Sequence, residues 1–293
     1  MRWVGRFAVD LDRHPAPAQV APIRIRAHAM AENVPARDLL LSPDHAVLIG
    51  GVLMQAQSLV NGATILREPP RGRVTYVHVE LDRHAILFAE GLPAESYLDT
   101  GNRAAFAGEP GVRPLFPDLS ARTWAADACA PLVLDGPALA AAHAMLLRRA
   151  HDLGHGLTDD PALTVFADGV ALPLRRDGKL AWRARLPAGT ASVRLRSRGF
   201  VPNDLGADDR RRLGIAVAAL FLAGRALHPA GEGWHAAEPG WRWTDGDAVL
   251  ALPRTRRPAW LRIAAVDAGA RYWTAPANFL YARPTQRDAK ATP

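Results

Sequence analysis

The fold of this chain is constrained most by short runs in which apolar and polar residues alternate between glycine- and proline-containing turns. In Val74–Leu81, one set of side chains (Thr75, Val77, Val79, Leu81) alternates with another (Tyr76, His78, Glu80). This period of two is typical of a β-strand with one buried face. Val47–Met54 has Gly50-Gly51 between two apolar runs, which indicates a hairpin. We therefore predict that residues 1–108 form an all-β domain.

The rest of the chain is predicted to be a linker with one helix, a second β domain and a polar tail. Residues 109–158 are the linker, and its helix begins near Pro137 and ends at Gly154. Residues 159–281 show regularly spaced alternating runs, which favour a β-sandwich or jelly roll. Residues 282–293 are predicted to be disordered. The predicted strands of the second domain are 163–166, 170–174, 180–186, 192–196, 213–222, 247–252 and 260–266.

Composition excludes several classes of protein. The one cysteine, Cys129, rules out an internal disulfide and a cysteine-rich zinc site. No apolar run is long enough to span a membrane, and the N-terminus lacks a cleavable secretory signal, which leaves cytoplasmic location and signal-less export both open. The net charge is +7, but the arginines are scattered over predicted strand faces, so no nucleic-acid partner is expected.

No cofactor or metal is predicted. The chain has no Walker loop, dinucleotide-binding glycine pattern or Gly-x-Ser-x-Gly element. His151 and His155 have the spacing of helical metal ligands, but Gly154 is predicted to end the helix between them. We interpret the two histidines as residues of a helix end.

Two segments carry a family resemblance. Leu39–Leu48 contains Ser-x-x-His, and Val74–Asn102 contains an Asp-x-His pair followed by Ala-Glu-Gly-Leu-Pro-Ala-Glu-Ser-Tyr. Together they resemble the Hint module of hedgehog autoprocessing domains and inteins, in its bacterial stand-alone form. That family converts a backbone amide into a thioester, which requires a nucleophile, a group that protonates the amide nitrogen and donors for an oxyanion.

The resemblance implies a role for four residues. Ser42 takes the place of the family's threonine that helps to hold the scissile bond, and His45 that of the histidine that polarises or protonates it. Asp82 or His84 lies in the later motif, where the family has an acid or histidine near the nucleophile. The substrate implied is the chain's own upstream polypeptide. The structural alternative is a turn at Ser42–Asp44 with His45 as an ordinary strand residue.

The sequence departs from the family at the nucleophile. The family's opening strand begins with Cys or Ser, and no counterpart precedes this segment. Cys129 lies outside the segment, so its sequence position excludes it from that role. Members of a catalytic unit are strongly interdependent, and losing the nucleophile removes nearly all of the rate. The prediction is a protein of autoprocessing ancestry that is inactive in this chain.

The alternative function is non-catalytic binding of a carbohydrate or cell-surface partner, with the Hint-like part as scaffold. It depends on a predicted loop whose aromatic and polar side chains suit a sugar ring: Trp234, His235, Glu238, Trp241, Trp243 and Asp245. Together with Phe200–Pro202 and Arg211–Gly214, this segment resembles β-sandwich modules of bacterial glycan-handling proteins. The structural alternative is that Trp241 and Trp243, two residues apart, share one face and fill the sandwich core.

Overall fold

The computed structural model describes residues 1–100 and 123–276, and it confirms a mainly β protein. We call residues 1–100 with 123–152 the first module and residues 156–274 the sandwich module. The strands of the first module are β1 (Trp3–Asp10), β2 (Ile23–Ile25), β3 (Leu39–Leu41), β4 (Ala46–Ile49), β5 (Val52–Gln55), β6 (Ile65–Arg67), β7 (Arg73–Glu80), β8 (Ile86–Ala89), β9 (Leu92–Glu95) and β10 (Leu132–Val133). Its helices are α1 (Pro17–Val20), α2 (Trp124–Asp127) and α3 (Pro137–Asp152), with a 3-10 turn at Ala56–Leu59.

The strands of the first module form three sheets. They are a β1–β7 ribbon, a three-stranded sheet in the order β3-β2-β6 and a five-stranded sheet in the order β10-β5-β4-β9-β8. The predicted hairpin is present, since β4 and β5 pair antiparallel and Gly50 and Gly51 both have positive φ. Two successive positive φ angles suit the twist of a tight hairpin and are easy for glycine.

The segment after residue 122 packs on the first module. The predicted helix is confirmed as α3, and its Ala142 and Leu146 are buried in the same core as Ile23 and Ile65. β10 adds a parallel strand beside β5, and the Leu53 N–H donates to the Pro131 carbonyl at 2.8 Å. Residues that the sequence suggested were linker therefore contribute a strand and a helix to this module.

The sandwich module has an apolar core between two sheets. The four-stranded sheet has the order β13-β12-β16-β21, and the larger sheet has the order β14-β15-β22-β17-β20-β19, with β18 beside β17. Buried residues from both sheets form one cluster. The strands are β11 (Gly156–Thr158), β12 (Thr164–Ala167), β13 (Val170–Leu172), β14 (Leu174–Arg176), β15 (Ala181–Leu186), β16 (Ser192–Arg196), β17 (Ala216–Leu222), β18 (Arg225–Leu227), β19 (Trp234–Glu238), β20 (Trp241–Thr244), β21 (Asp247–Ala251), β22 (Ala259–Ala265) and β23 (Tyr272–Thr274), with a 3-10 turn at Pro202–Leu205.

Trp273, on β23, connects the two modules. Its indole N–H donates to the Asn61 carbonyl at 2.9 Å, and its ring lies 5.3 Å from that of His151 at the end of α3. A β-carbon at Gly62 would lie 3.3 Å from the same indole. Over the described residues, no helix is long and apolar enough to cross a membrane.

Candidate functional site

The candidate site begins at β7, whose buried face is the polar one. Val77 is 52% exposed, whereas Glu80 on the opposite face is 2% exposed. His78 and Tyr76 share the inward face with Glu80. The His78 ring lies 5.7 Å from the Tyr97 ring and 5.8 Å from the His45 ring. A strand of this kind directs ionisable groups toward the interior, against the usual rule for burial.

Two further groups meet beside His45, namely His84 and Glu95. Glu95 is the last residue of β9, and its Oε1 accepts the Ala46 N–H at 2.7 Å. Its Oε2 lies 3.5 Å from His84 Nε2. The loop that carries His84 is fixed by Ser96, whose N–H donates to the Ala85 carbonyl and whose Oγ accepts the Ala85 N–H.

The facing atoms of this pair lack other partners. Within residues 1–100 and 123–276, neither His84 Nε2 nor Glu95 Oε2 makes a hydrogen bond, although both are buried. The His84 side chain is 0% exposed. Buried polar atoms are nearly always hydrogen-bonded, and exceptions are often found at sites that act on a ligand or substrate. The pair is therefore the strongest indication of a functional centre in the first module.

The environment keeps the other two histidines neutral. Burial lowers the pKa of His45, and the charge of Glu95 opposes that shift only in part. Burial also lowers the pKa of His78 to about 4, with a smaller contribution from His45. Both imidazoles are therefore uncharged near neutral pH and can serve as hydrogen-bond donors or acceptors, but the lowered pKa makes each a weaker base than a free imidazole.

Cys129 lies at this centre although its sequence position excluded it. The Cys129 N–H donates to His84 Nδ1 at 3.0 Å. Trp124, earlier in the same segment, places its ring edge-on to the His84 imidazole with 5.6 Å between centroids. The pKa of the Cys129 thiol is raised, first by partial burial and also by the charge of Glu95. The segment around α2 therefore covers the His84–Glu95 pair.

The four residues implied by the resemblance lie in different settings. His45 and His84 are at the centre, and both flank Glu95. Asp82 is exposed in the loop before His84. Ser42 accepts the His45 N–H with its carbonyl at 3.1 Å, the turn that the structural alternative describes. Roles for these residues remain predictions.

Sequence reasoning missed three residues of the centre. Glu95 lies within the Ala-Glu-Ser segment that carried the family resemblance, and His78 lies on the polar face of the predicted strand. Both residues could therefore have been found from the sequence. Cys129 had none, because forty-five residues separate it from His84 and only the tertiary contact joins them. No group of three or more His, Cys, Asp or Glu residues in the described parts of the chain is arranged to hold a metal ion.

The aromatic segment of the sandwich module forms a hairpin, β19–β20, rather than the expected loop. Gly240 has a φ of +93°, which the turn between the two strands requires. Trp243 is buried with Phe200 and Tyr272, and Trp241 packs against the same cluster. The polar members bond within the module: His235 to the Arg212 carbonyl, Glu238 to Arg211, and Asp245 to the Asp247 N–H, while the Trp234 indole donates to the Val249 carbonyl.

The two halves of the described chain thus define a β protein with one buried His/Glu centre and one apolar sandwich. The family model described as the Hint domain matches residues 1–101, which is 101 of the 293 residues. This match supports a Hint domain in the first module and an ancestry related to autoprocessing. No curated protein and no solved structure matches the chain.

Proposed function

We propose that the first module is an autoprocessing unit that rearranges a peptide bond of its own polypeptide. The observation that carries this proposal is the buried His84–Glu95 pair, whose facing atoms His84 Nε2 and Glu95 Oε2 lie 3.5 Å apart and make no hydrogen bond in the described structure. The Hint domain match over the same residues gives the class of reaction. In this proposal His84 transfers the proton and Glu95 stabilises the resulting imidazolium.

His45 has a supporting role in the same reaction. Its pKa is lowered by burial, so it is uncharged at neutral pH, and it interacts with the same Glu95 that faces His84. A neutral imidazole can polarise the scissile carbonyl by donating its ring N–H, without bringing a competing charge beside His84. Ser42 and Asp82 stay predictions of the family resemblance.

Intact mass tests the proposal. The longest in-frame reading of the gene is expressed, and the masses of the products are measured with and without His45→Ala. We expect cleavage of the native product and a rate about 10²-fold lower in the variant. His228→Ala, at an exposed position of the sandwich module, is the matched control and leaves the rate unchanged. An uncut native product, or equal cleavage by the His45 variant, would contradict the proposal.

Carbohydrate binding by the sandwich module is the second candidate. One observation favours it: the buried Trp241 Nε1 has no hydrogen-bond acceptor among the described residues. Because this nitrogen has no accessible surface, the hairpin would have to open before a sugar hydroxyl could accept from it. Titration calorimetry with a panel of oligosaccharides tests this, and binding must be lost in Trp241→Phe, which keeps the packing but removes the donor. Binding that survives this substitution would exclude the Trp241 site.

A further inference from the structure

The segment that covers the His84–Glu95 pair presents one peptide bond to it. The amide nitrogen of Cys129 lies 3.0 Å from His84 Nδ1, and this nitrogen belongs to the Ala128–Cys129 bond. The thiol that could attack the Ala128 carbonyl is on the same residue. A nucleophile, a scissile amide and a proton-transfer group therefore come together in one place.

We propose that Ala128–Cys129 is the peptide bond on which the first module acts, with Cys129 as the nucleophile. This inference rests on the autoprocessing function proposed above. It differs from the sequence expectation, in which the nucleophile precedes the module. Here the nucleophile follows β1–β9 in the chain, and folding brings it back to His84.

Packing of the covering segment supports the assignment. On one side of Cys129, the Trp124 ring contacts His84, and Thr123 caps α2 by accepting the Ala126 N–H. On the other side, β10 pairs with β5, and the Pro131 carbonyl accepts the Leu53 N–H. Contacts on both sides fix the position of the bond, and such fixed positioning contributes strongly to intramolecular reactions.

The buried His84–Glu95 pair is a second, independent indication that the Ala128–Cys129 bond lies at a reactive centre. His84 is hydrogen-bonded to the substrate segment at Nδ1, while its Nε2 faces Glu95 Oε2 without forming a hydrogen bond. Because the Cys129 N–H donates to Nδ1, a neutral His84 carries its proton on Nε2, toward the carboxylate. Glu95 is thus placed to stabilise the imidazolium that forms when His84 takes a proton from the thiol.

The reaction is a rearrangement that needs no other reactant. The Cys129 Sγ attacks the Ala128 carbonyl carbon, a C–S bond forms and the C–N bond breaks. The thiol proton passes through His84 to the Cys129 nitrogen, which becomes a free amine. The product is a thioester between Ala128 and the Cys129 side chain. Added hydroxylamine then attacks the thioester carbonyl, leaves a hydroxamate on Ala128 and restores the thiol.

The raised pKa of the Cys129 thiol fits this order of events. The thiol is protonated at neutral pH and needs a base at the moment of attack. His84 is the base that the structure places at the reacting amide, because its Nδ1 accepts the hydrogen bond from the Cys129 N–H.

The test uses the whole chain, incubated with neutral hydroxylamine and followed by intact mass and fragment mapping. We expect fragments 1–128 and 129–293, with a hydroxamate on Ala128. Cys129→Ala abolishes the cleavage, and because Cys129 is exposed the change leaves the fold intact. Cys129→Ser, which keeps a weaker nucleophile, gives slow cleavage at the same bond.

His84→Gln slows the cleavage about 10²-fold, and the exposed His228→Gln serves as its matched control. Because His84 is fully buried, circular dichroism of each variant must show native structure before rates are compared. Cleavage at another bond that depends on His84 would overturn the Cys129 assignment but keep the autoprocessing function. No cleavage of natively folded chain would also overturn the assignment, and the upstream-extended gene product then decides the proposed function separately.

Discussion

The two modules bury different chemistry. The core of the sandwich module consists of apolar side chains from two facing sheets. The first module has an apolar core too, but beside it lie the buried His84 and Glu95 with the partly buried His45 and His78. Apolar burial stabilises a fold, whereas buried ionisable groups without full hydrogen bonding reduce its stability. The two modules therefore differ in how much of their buried surface is ionisable.

The largest expected effect is on the sandwich core. Leu261 is fully buried between the two sheets, and Leu261→Ala should lower the free energy of unfolding by about 3 kcal/mol because it leaves a cavity. Leu157→Ala is the control, since Leu157 is 41% exposed, and it should change stability by less than about 0.5 kcal/mol. Urea unfolding followed by circular dichroism measures both. Equal effects would show that the sandwich core is not the main source of stability.

The next effect tests whether the modules are independent. Trp273→Ala removes the indole that bonds to Asn61 and contacts His151, and we expect a loss of about 2 kcal/mol. Calorimetry should show the unfolding of the first module moving to lower temperature. Trp260→Ala, within the sandwich sheet and 37% exposed, is the matched control with a smaller loss. If the two variants behave alike, the contact through Trp273 does not couple the modules.

Acid sensitivity should distinguish the histidine centre from the apolar core. The pKa of His78 is about 4 in the folded chain against an ordinary 6.5. The unfolded chain therefore binds a proton in this window that the folded chain does not, so stability is full above about pH 6.5 and declines as the pH falls toward 4. We expect His78→Gln to remove about 1 kcal/mol of this decline, after allowing for solvent screening.

Melting temperatures at a series of pH values between 4 and 7.5 measure this effect. His228→Gln, at an exposed site, should keep the native acid sensitivity. If the melting temperature of the His78 variant falls with pH as steeply as that of the native chain, His78 does not contribute to the acid sensitivity.

An effect of similar size, at Asp204, has the opposite sign with pH. Burial raises the pKa of Asp204, in the sandwich module beside Gly62, to about 7 from an ordinary 3.8, with Arg67 opposing the shift. The stability that the folded chain gains by holding this proton is fully present below about pH 3.8, and it is lost as the pH rises through 7. Asp204→Asn should raise stability at pH 8 by about 1 kcal/mol. Thermal unfolding at pH 8 tests this, with Asp208→Asn as the exposed control, and no gain over that control would contradict it.

Local sequence predicted much of the secondary structure for simple reasons. The Gly50-Gly51 hairpin and α3 follow from turn chemistry and helical spacing that act over a few residues. β19 and β20 were read as a loop because their polar side chains interrupt the alternation, and the pairing that stabilises them is set by the neighbouring β17. For the centre, His45 and His84 were implied by the resemblance to the Hint module.

The family resemblance implied His45 and His84, whereas the sequence by itself determined a mainly β chain and the helix that follows the first strands. These features depend on residue periodicity and local backbone preferences, which act along the chain. Only the tertiary structure decided that the polar face of β7 is buried and that Cys129 meets His84. The physical reason is that long-range strand pairing and side-chain packing, as between β10 and β5, bring together residues whose separation in sequence carries no signal.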